Sequence, residues 1–176
     1  PSVRFEVRLL SREGKNALPA SGADEVSFVM SANAGEALGP ISRIASGGEL
    51  SRIMLALKNV FAEKDGVDAL IFDEIDTGVS GVAAQRVAEK LASLGRTKQV
   101  LCVTHLPQIA AMAQQQYLVE KAEHGGRTYT NIRLLDREGR RYELARLSGG
   151  DMITDIQLAG AEELLARDER FRASLS

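Results

Sequence analysis

Over residues 3–9 the side chains alternate, with Val3, Phe5, Val7 and Leu9 apolar and Arg4, Glu6 and Arg8 charged. A period of two predicts a half-buried β-strand, because successive side chains in a strand point to opposite faces. A polar turn from Ser11 to Gly22 leads to a second predicted strand, Glu25 to Ser31. Between Asn33 and Gly48, four glycines and one proline predict an ordered loop rather than a helix or strand. From Glu49 the period lengthens. Leu50, Ile53, Met54, Leu57, Val60 and Phe61 fall on one face of an amphipathic helix, with Arg52, Lys58, Asn59 and Glu63 opposite.

Ala69, Leu70, Ile71 and Phe72 form a short continuous apolar run, as in a strand buried on both faces. A helix is predicted from about Ser80 to Leu94, with Ala83, Val87, Leu91 and Leu94 inward. Val100 to Val103 reads as another buried strand, and Pro107 suits the first turn of a short helix. Strand, helix and strand at this spacing predict a parallel βαβ crossover. Tyr117 to Lys121 and Thr128 to Leu135 read as a hairpin closed around Gly125 and Gly126. Two helical segments, about Tyr142 to Leu147 and Ile153 to Ala166, finish the pattern. No internal repeat, linker or low-complexity tract interrupts it, so residues 1–176 read as a single α/β unit.

Composition narrows the class. At 176 residues and 44% apolar, the chain has material for a real core, and mixed charges at 26% exclude a disordered chain. A net charge of −2 announces no overall basic field for nucleic acid. One cysteine, Cys102, excludes a disulfide framework and fits a reducing cytoplasm. No run of 18 apolar residues and no leader pattern is present, so neither a membrane span nor export is expected. The opening strand pattern reads as a piece of something larger.

Three places ask for chemistry. Ser46-Gly47-Gly48-Glu49 heads the long helix. It fits a capping box, with Ser46 at N-cap and Glu49 three residues on. Two glycines in a first turn also let an anion approach bare amides at a helix N-terminus. Both readings stand on these residues alone. Leu147-Ser148-Gly149-Gly150-Asp151 looks alike, yet it closes a helix and fits a C-cap glycine. The second place is Asp73-Glu74-Ile75-Asp76, at the carboxyl end of a buried strand, where α/β folds place ligands. Carboxylates there either serve a metal or water, or merely return the chain to solvent. Because adjacent strand residues face opposite ways, the chain must turn at Asp73-Glu74 before both can serve one ligand. The third is Thr104-His105, at the end of the neighbouring strand, where an imidazole can reach a phosphate or a water.

In order and spacing these residues resemble the carboxy-terminal half of an ABC-type ATPase head. Ala45-Ser46-Gly47-Gly48-Glu49 is similar to the signature loop, Leu70 to Glu74 to the Walker B strand, Ile75-Asp76-Thr77-Gly78 to the D-loop, and Thr104-His105 to the switch histidine. Ser31 to Glu36, Ala45 to Lys58, Phe72 to Gly81 and Val103 to Ala110 narrow the resemblance to bacterial SMC-like proteins of DNA double-strand break repair. The implied fold is the carboxy-terminal lobe of an ABC/SMC-type P-loop NTPase head: α/β, a largely parallel sheet flanked by helices, with an added antiparallel hairpin. Ser148 to Asp151 follows the switch histidine, where no signature loop belongs. No G-x-x-x-x-G-K-[ST] string and no long heptad stretch occurs, so the Walker A lobe and coiled coil are missing from these residues.

The resemblance further implies a substrate, a cofactor and partners. Asp73 would orient Mg²⁺, mostly through water. Glu74 would polarise the attacking water and His105 would sense the γ-phosphate of ATP. Ser46, Gly47, Gly48 and Glu49 would contact ATP held by another head, and Asp76 would carry contacts between the two sites. The partners would be the amino-terminal lobe of the same protein, a second copy closing on two sandwiched nucleotides, and DNA through residues the sequence does not identify. The location would be the bacterial cytoplasm, at the nucleoid. ATP hydrolysis would serve repair and recombination, and this stretch alone would be inactive. Two alternatives are a nucleotide-gated clamp of another SMC-like chromosome protein and a metal-dependent nuclease using Asp73, Glu74 and Asp76.

Overall fold

The computed structural model describes residues 3–11, 22–31, 35, 37–44, 46–62, 64, 66–150 and 152–175. The body of the polar turn, residues 32–34, Ala45, Glu63 and Asp151 lie outside the described residues. The chain falls into two compact units, residues 1–50 and 51–176.

In the first unit, β1 (Arg4–Ser11) and β2 (Asp24–Ser31) pair antiparallel, in register from Arg4 opposite Ser31 to Ser11 opposite Asp24. β2 also pairs with the short β3 (Gly39–Pro40), and α1 (Ile41–Ile44) follows, so part of the expected loop is regular. The alternation works as read: Phe5, Val7 and Leu9 lie opposite Met30, Phe28 and Val26, hence on one face. The rings of Phe5 and Phe28 stack at 6.0 Å. The expected half-burial does not occur in β1, which is exposed throughout; Val29, Met30 and Ser31 of β2 are buried instead. A sheet face is covered only when another layer packs on it, and no described residue lies over Phe5, Val7 and Leu9 closely enough to bury them.

The second unit carries the βαβ crossover. The helix α2 (Gly47–Phe61) begins in the first unit and leads to β4 (Ala69–Phe72), α3 (Gly81–Leu94) and β5 (Gln99–Cys102). β4 and β5 run parallel with Phe72 opposite Cys102, and the Val103 amide extends the ladder to the Phe72 carbonyl at 2.9 Å. Parallel pairing is confined to these two strands among the described residues. Only one face of the pair is covered. Leu70, Phe72, Val100 and Cys102 join the core, whereas Ile71, Leu101 and Val103 are exposed, so neither strand is buried on both faces.

Leu55, Phe72, Ile75, Ala88, Leu91, Leu94, Ile109 and Met112 form the main core. Two helix faces differ from expectation. Leu55 is the residue of α2 that enters the core, while Leu50, Met54, Val60 and Phe61 of the wide apolar stripe are exposed. A helix apolar on more than one side does not reveal which side meets the core. In α3, Ala84, Ala88, Leu91 and Leu94 are buried and Ala83 is exposed. The short α4 (Pro107–Met112), with Pro in its first turn, presents Ile109 and Met112 to this core. Its Ala110 and Ala111 enter a second cluster with Leu144, Ala145, Ala161 and Leu165 of α5 (Arg137–Gly149) and α6 (Asp155–Ser174). Both final helices run longer than expected: Asp136 caps α5 earlier, whereas α6 starts at its Thr154 cap, slightly later than expected, and continues to Ser174. Between α4 and α5, β6 (Tyr117–His124) and β7 (Arg127–Leu134) form the hairpin around Gly125 and Gly126, whose φ values of 58° and 72° suit a two-residue turn.

Burial first, then the charges of Asp76 and Asp73, pushes the Cys102 thiol up to about 12, which disfavours the thiolate near neutral pH. Two stability measurements check the packing. Leu94→Ala, at a side chain 2% exposed, is expected to cost about 2–5 kcal/mol in urea unfolding. Ile71→Ala, at 75% exposure, is expected to stay within about 0.5 kcal/mol of the parent chain.

Candidate functional site

The head of α2 is a capping box. The Ser46 amide donates to Glu49 Oε2 at 2.8 Å and the Glu49 amide returns to Ser46 Oγ at 3.4 Å. Ser46 and Gly47 are exposed and Gly48 is buried. This loop belongs to the first unit; the acidic and histidine loops belong to the second.

At the end of β4 the chain turns where the sequence requires it to. Glu74 has φ +57°, the one non-glycine residue with positive φ among the described residues. A left-handed conformation costs an L-residue roughly 1–2 kcal/mol. Asp73 Oδ1 accepts the Glu74 amide at 2.9 Å, which helps hold the turn, and both carboxylates are exposed. Ile75 then plunges fully into the core, anchoring the loop from below. Such strain persists only where surrounding structure enforces it, and it collects at functional sites.

Asp76 does something the pattern did not reveal. Its carboxylate is 4% exposed and turned inward, where Oδ2 accepts from Thr104 Oγ at 2.6 Å and from the His105 amide at 2.8 Å, with His105 Nδ1 3.0 Å away. The loop after β4 is thereby tied to the loop after β5. With Nδ1 against the Asp76 carboxylate, Nε2 lies on the far side of the ring, and the His105 side chain is 73% exposed. Burial alone would raise the Asp76 carboxyl. The hydrogen bonds from Thr104 and the His105 amide, with the imidazole charge, outweigh it and hold Asp76 below the ordinary 3.8.

Two further residues position these loops and were missed. Ser51 Oγ donates to the Asp73 carbonyl at 3.0 Å, and Arg52 donates to the carbonyls of Ile75 and Thr77 at 3.2 and 2.7 Å. Arg52 reads from sequence as solvent-facing, because the stripe opposite it looks like the buried one. Placing Leu55, three residues on, in the core is the signal that would have found it.

The inward turn of Asp76 separates it from Asp73 and Glu74 as a ligand. No group of three His, Cys, Asp or Glu side chains among the described residues can hold a metal ion. Asp73, exposed at the strand end, is a single hard oxygen donor of the kind that could take Mg²⁺ together with water. The arginines near the chain end are occupied: Arg137 with Glu162 and Glu169, Arg141 with Glu138, Arg146 with Glu143. Ser148-Gly149-Gly150 is the helix end it was read as. Gly150, at φ 82°, caps α5 through the Arg146 carbonyl, and a side chain at Gly149 would strike Gln157, which the α6 capping box holds in place.

Two measurements follow. Relief of strain predicts that Glu74→Gly leaves stability unchanged or raises it by up to about 1 kcal/mol, since glycine's larger unfolded-state entropy offsets part of the gain. A larger loss in urea unfolding would contradict it. Because the Asp76 carboxyl is depressed in the folded state, its contribution is full above 3.8 and is lost as pH falls through its lower folded value. The stability gap between the parent chain and Asp76→Asn is therefore expected to shrink as pH falls below about 4.

No family model matches the chain. It is 47% identical over 162 residues to the DNA repair protein RecN of Halalkalibacterium halodurans, covering 92% of this chain and 29% of that one. It is 42% identical over 180 residues to RecN of Bacillus subtilis (98% and 31%) and 46% over 174 residues to RecN of Treponema pallidum (97% and 30%). The chain thus spans about 30% of the length of the curated relatives it matches. Among solved structures it matches the Smc head domain with coiled coil and joint from Pyrococcus yayanosii, with TM-score 0.57, 22% identity, and coverage of 82% of this chain and 26% of that one. A structure from work on ATP-driven dimerization and DNA-stimulated activation of SMC ATPases matches with TM-score 0.50 and 18% identity, covering 84% of each chain. These likenesses show the fold, the α/β fold of an SMC head domain. With that fold and 42–47% identity along nearly its whole length, the chain belongs to the RecN family of DNA repair proteins.

Proposed function

We propose that this chain is the carboxy-terminal lobe of a RecN-type ATPase head that pairs with a second head on binding ATP, hydrolyses the ATP, and so tethers or organises DNA ends during double-strand break repair. The observation that carries the reading is the Asp76 carboxylate joining the acidic loop after β4 to His105 after β5. Phosphoryl transfer needs positioning and charge neutralisation more than covalent help, and a pre-set rim of this kind supplies positioning.

In this reading Glu74, held forward by its left-handed backbone, polarises the attacking water, and His105 senses the γ-phosphate through a water that donates one hydrogen to Nε2 and the other to a phosphate oxygen. Asp73 would hold Mg²⁺ through water, and the metal would supply charge neutralisation at the phosphates. Ser46, Gly47 and Gly48 meet the triphosphate of the other head, with Glu49 fixing their loop through the capping box. The rest of the protein supplies the Walker A lobe, and the bare β4–β5 face at Ile71, Leu101 and Val103 is where that lobe packs. DNA and a second copy are the macromolecular partners, in the bacterial cytoplasm. No helix among the described residues is long and apolar enough to cross a membrane. The nuclease alternative loses its third carboxylate to the Asp76–His105 contact.

Glu74→Gln in the full-length protein is expected to lower kcat for ATP at least about 100-fold while ATP-dependent pairing persists in sedimentation. DNA tethering that survives in the same variant would favour the clamp, in which hydrolysis only resets the state. Ser46→Arg is expected to abolish ATP-driven pairing and spare nucleotide binding by a single head. Turnover that survives Glu74→Gln, or loss of single-head binding in Ser46→Arg, would overturn the assignments.

A further inference from the structure

Arg52 lies in the second turn of α2, half-buried, and one nitrogen of its guanidinium donates to two carbonyls, Ile75 at 3.2 Å and Thr77 at 2.7 Å. Those carbonyls bracket Asp76. One residue earlier, Ser51 holds the Asp73 carbonyl, so α2 grips the loop after β4 at three points. Asp76 in turn holds Thr104 and the His105 amide, with Nδ1 of His105 3.0 Å away. Three segments distant in sequence are therefore linked in series, and the middle link is a stretch of only three residues.

The chemistry of each link makes the series stiff. Both hydrogens on one guanidinium nitrogen are placed by a rigid planar fork, so the two carbonyls are held at a fixed spacing. A buried carboxylate with two donors and an imidazole 3.0 Å away cannot swing without leaving charge unpaired. A shift of about 1 Å in α2 takes a 2.7 Å bond beyond hydrogen-bond range unless the loop follows. We infer that Arg52 is a positioning residue which, through the Ile75–Thr77 backbone and the Asp76 carboxylate, sets the tautomer and place of His105, so that helix α2 and the imidazole move together. Its consequence for turnover rests on the ATPase reading above; the geometric link does not.

The test uses the full-length protein with ¹⁵N-labelled histidine, reading the His105 ring nitrogens at about pH 8, above the usual imidazole range. His105 is expected to carry its proton on Nδ1 and leave Nε2 bare. Asp76→Asn and Arg52→Ala are each expected to give a mixture of tautomers. Each is also expected to lower kcat about tenfold with KM for ATP within about twofold, the split expected of a group that orients rather than binds. Arg52→Lys is expected to recover part of the loss. The double variant is expected to be no slower than Asp76→Asn alone, because both changes cut one series. A parent-like His105 spectrum in Arg52→Ala, or losses that multiply in the double variant, would overturn the inference. If Arg52→Ala fails to fold by circular dichroism, Arg52→Lys and Arg52→Gln read the same signals. Absence of turnover in the parent protein would overturn the ATPase reading, while the ring nitrogens would still decide the link.

Discussion

One buried carboxylate holds the candidate site together. Asp76 is withdrawn from solvent and satisfied by the Thr104 hydroxyl and the His105 amide, with the imidazole beside it. Hydrogen bonds to a charged group contribute about 1.5–3 kcal/mol each, and a buried charge left without them is strongly destabilising. The two strand-end loops are therefore stable together or not at all. Ile75 anchors the same turn from the core side, which leaves Asp73 and Glu74 standing outward at a fixed place. The positive φ of Glu74 is the local cost of that arrangement, and it is sustained by burial on one side and hydrogen bonds on the other.

The short α4 extends the constraint beyond the loops. It starts two residues after His105 and divides its side chains between the two hydrophobic clusters. At its far end Arg140 and Arg172 donate to the carbonyls of Ala111, Met112 and Ala113, groups a helix end leaves unsatisfied. Burial, then the neighbouring Arg172 charge, pushes the Arg140 guanidinium below its usual value, a cost the helix end and its carbonyls offset. The histidine loop is thus backed by a firmly fixed helix.

Much of the architecture was legible because local periodicity and turn chemistry agree. The β1 alternation, the βαβ spacing, Pro107 at a helix start and Gly125-Gly126 at a hairpin turn all mark their elements correctly. What periodicity cannot give is which apolar face finds a partner. The β1 alternation does not say that Phe5 and Val7 stay exposed, nor the α2 stripe that Leu55 rather than Leu50 or Met54 enters the core. At the site, motif order singled out Asp73, Glu74, Asp76 and His105, and strand geometry asked for a turn at Asp73-Glu74 without giving its left-handed form. The inward aim of Asp76 and the reach of Arg52 depend on tertiary packing, and no spacing in the sequence encodes them.

The most direct test of a composite site is a structure of the full-length protein bound to a non-hydrolysable ATP analogue and Mg²⁺. The expected result is two heads around two nucleotides, with Asp73, Glu74 and His105 of one copy at the γ-phosphate and Ser46 of the other copy against the same phosphate. A single head enclosing its nucleotide unaided, or a γ-phosphate remote from His105, would contradict it.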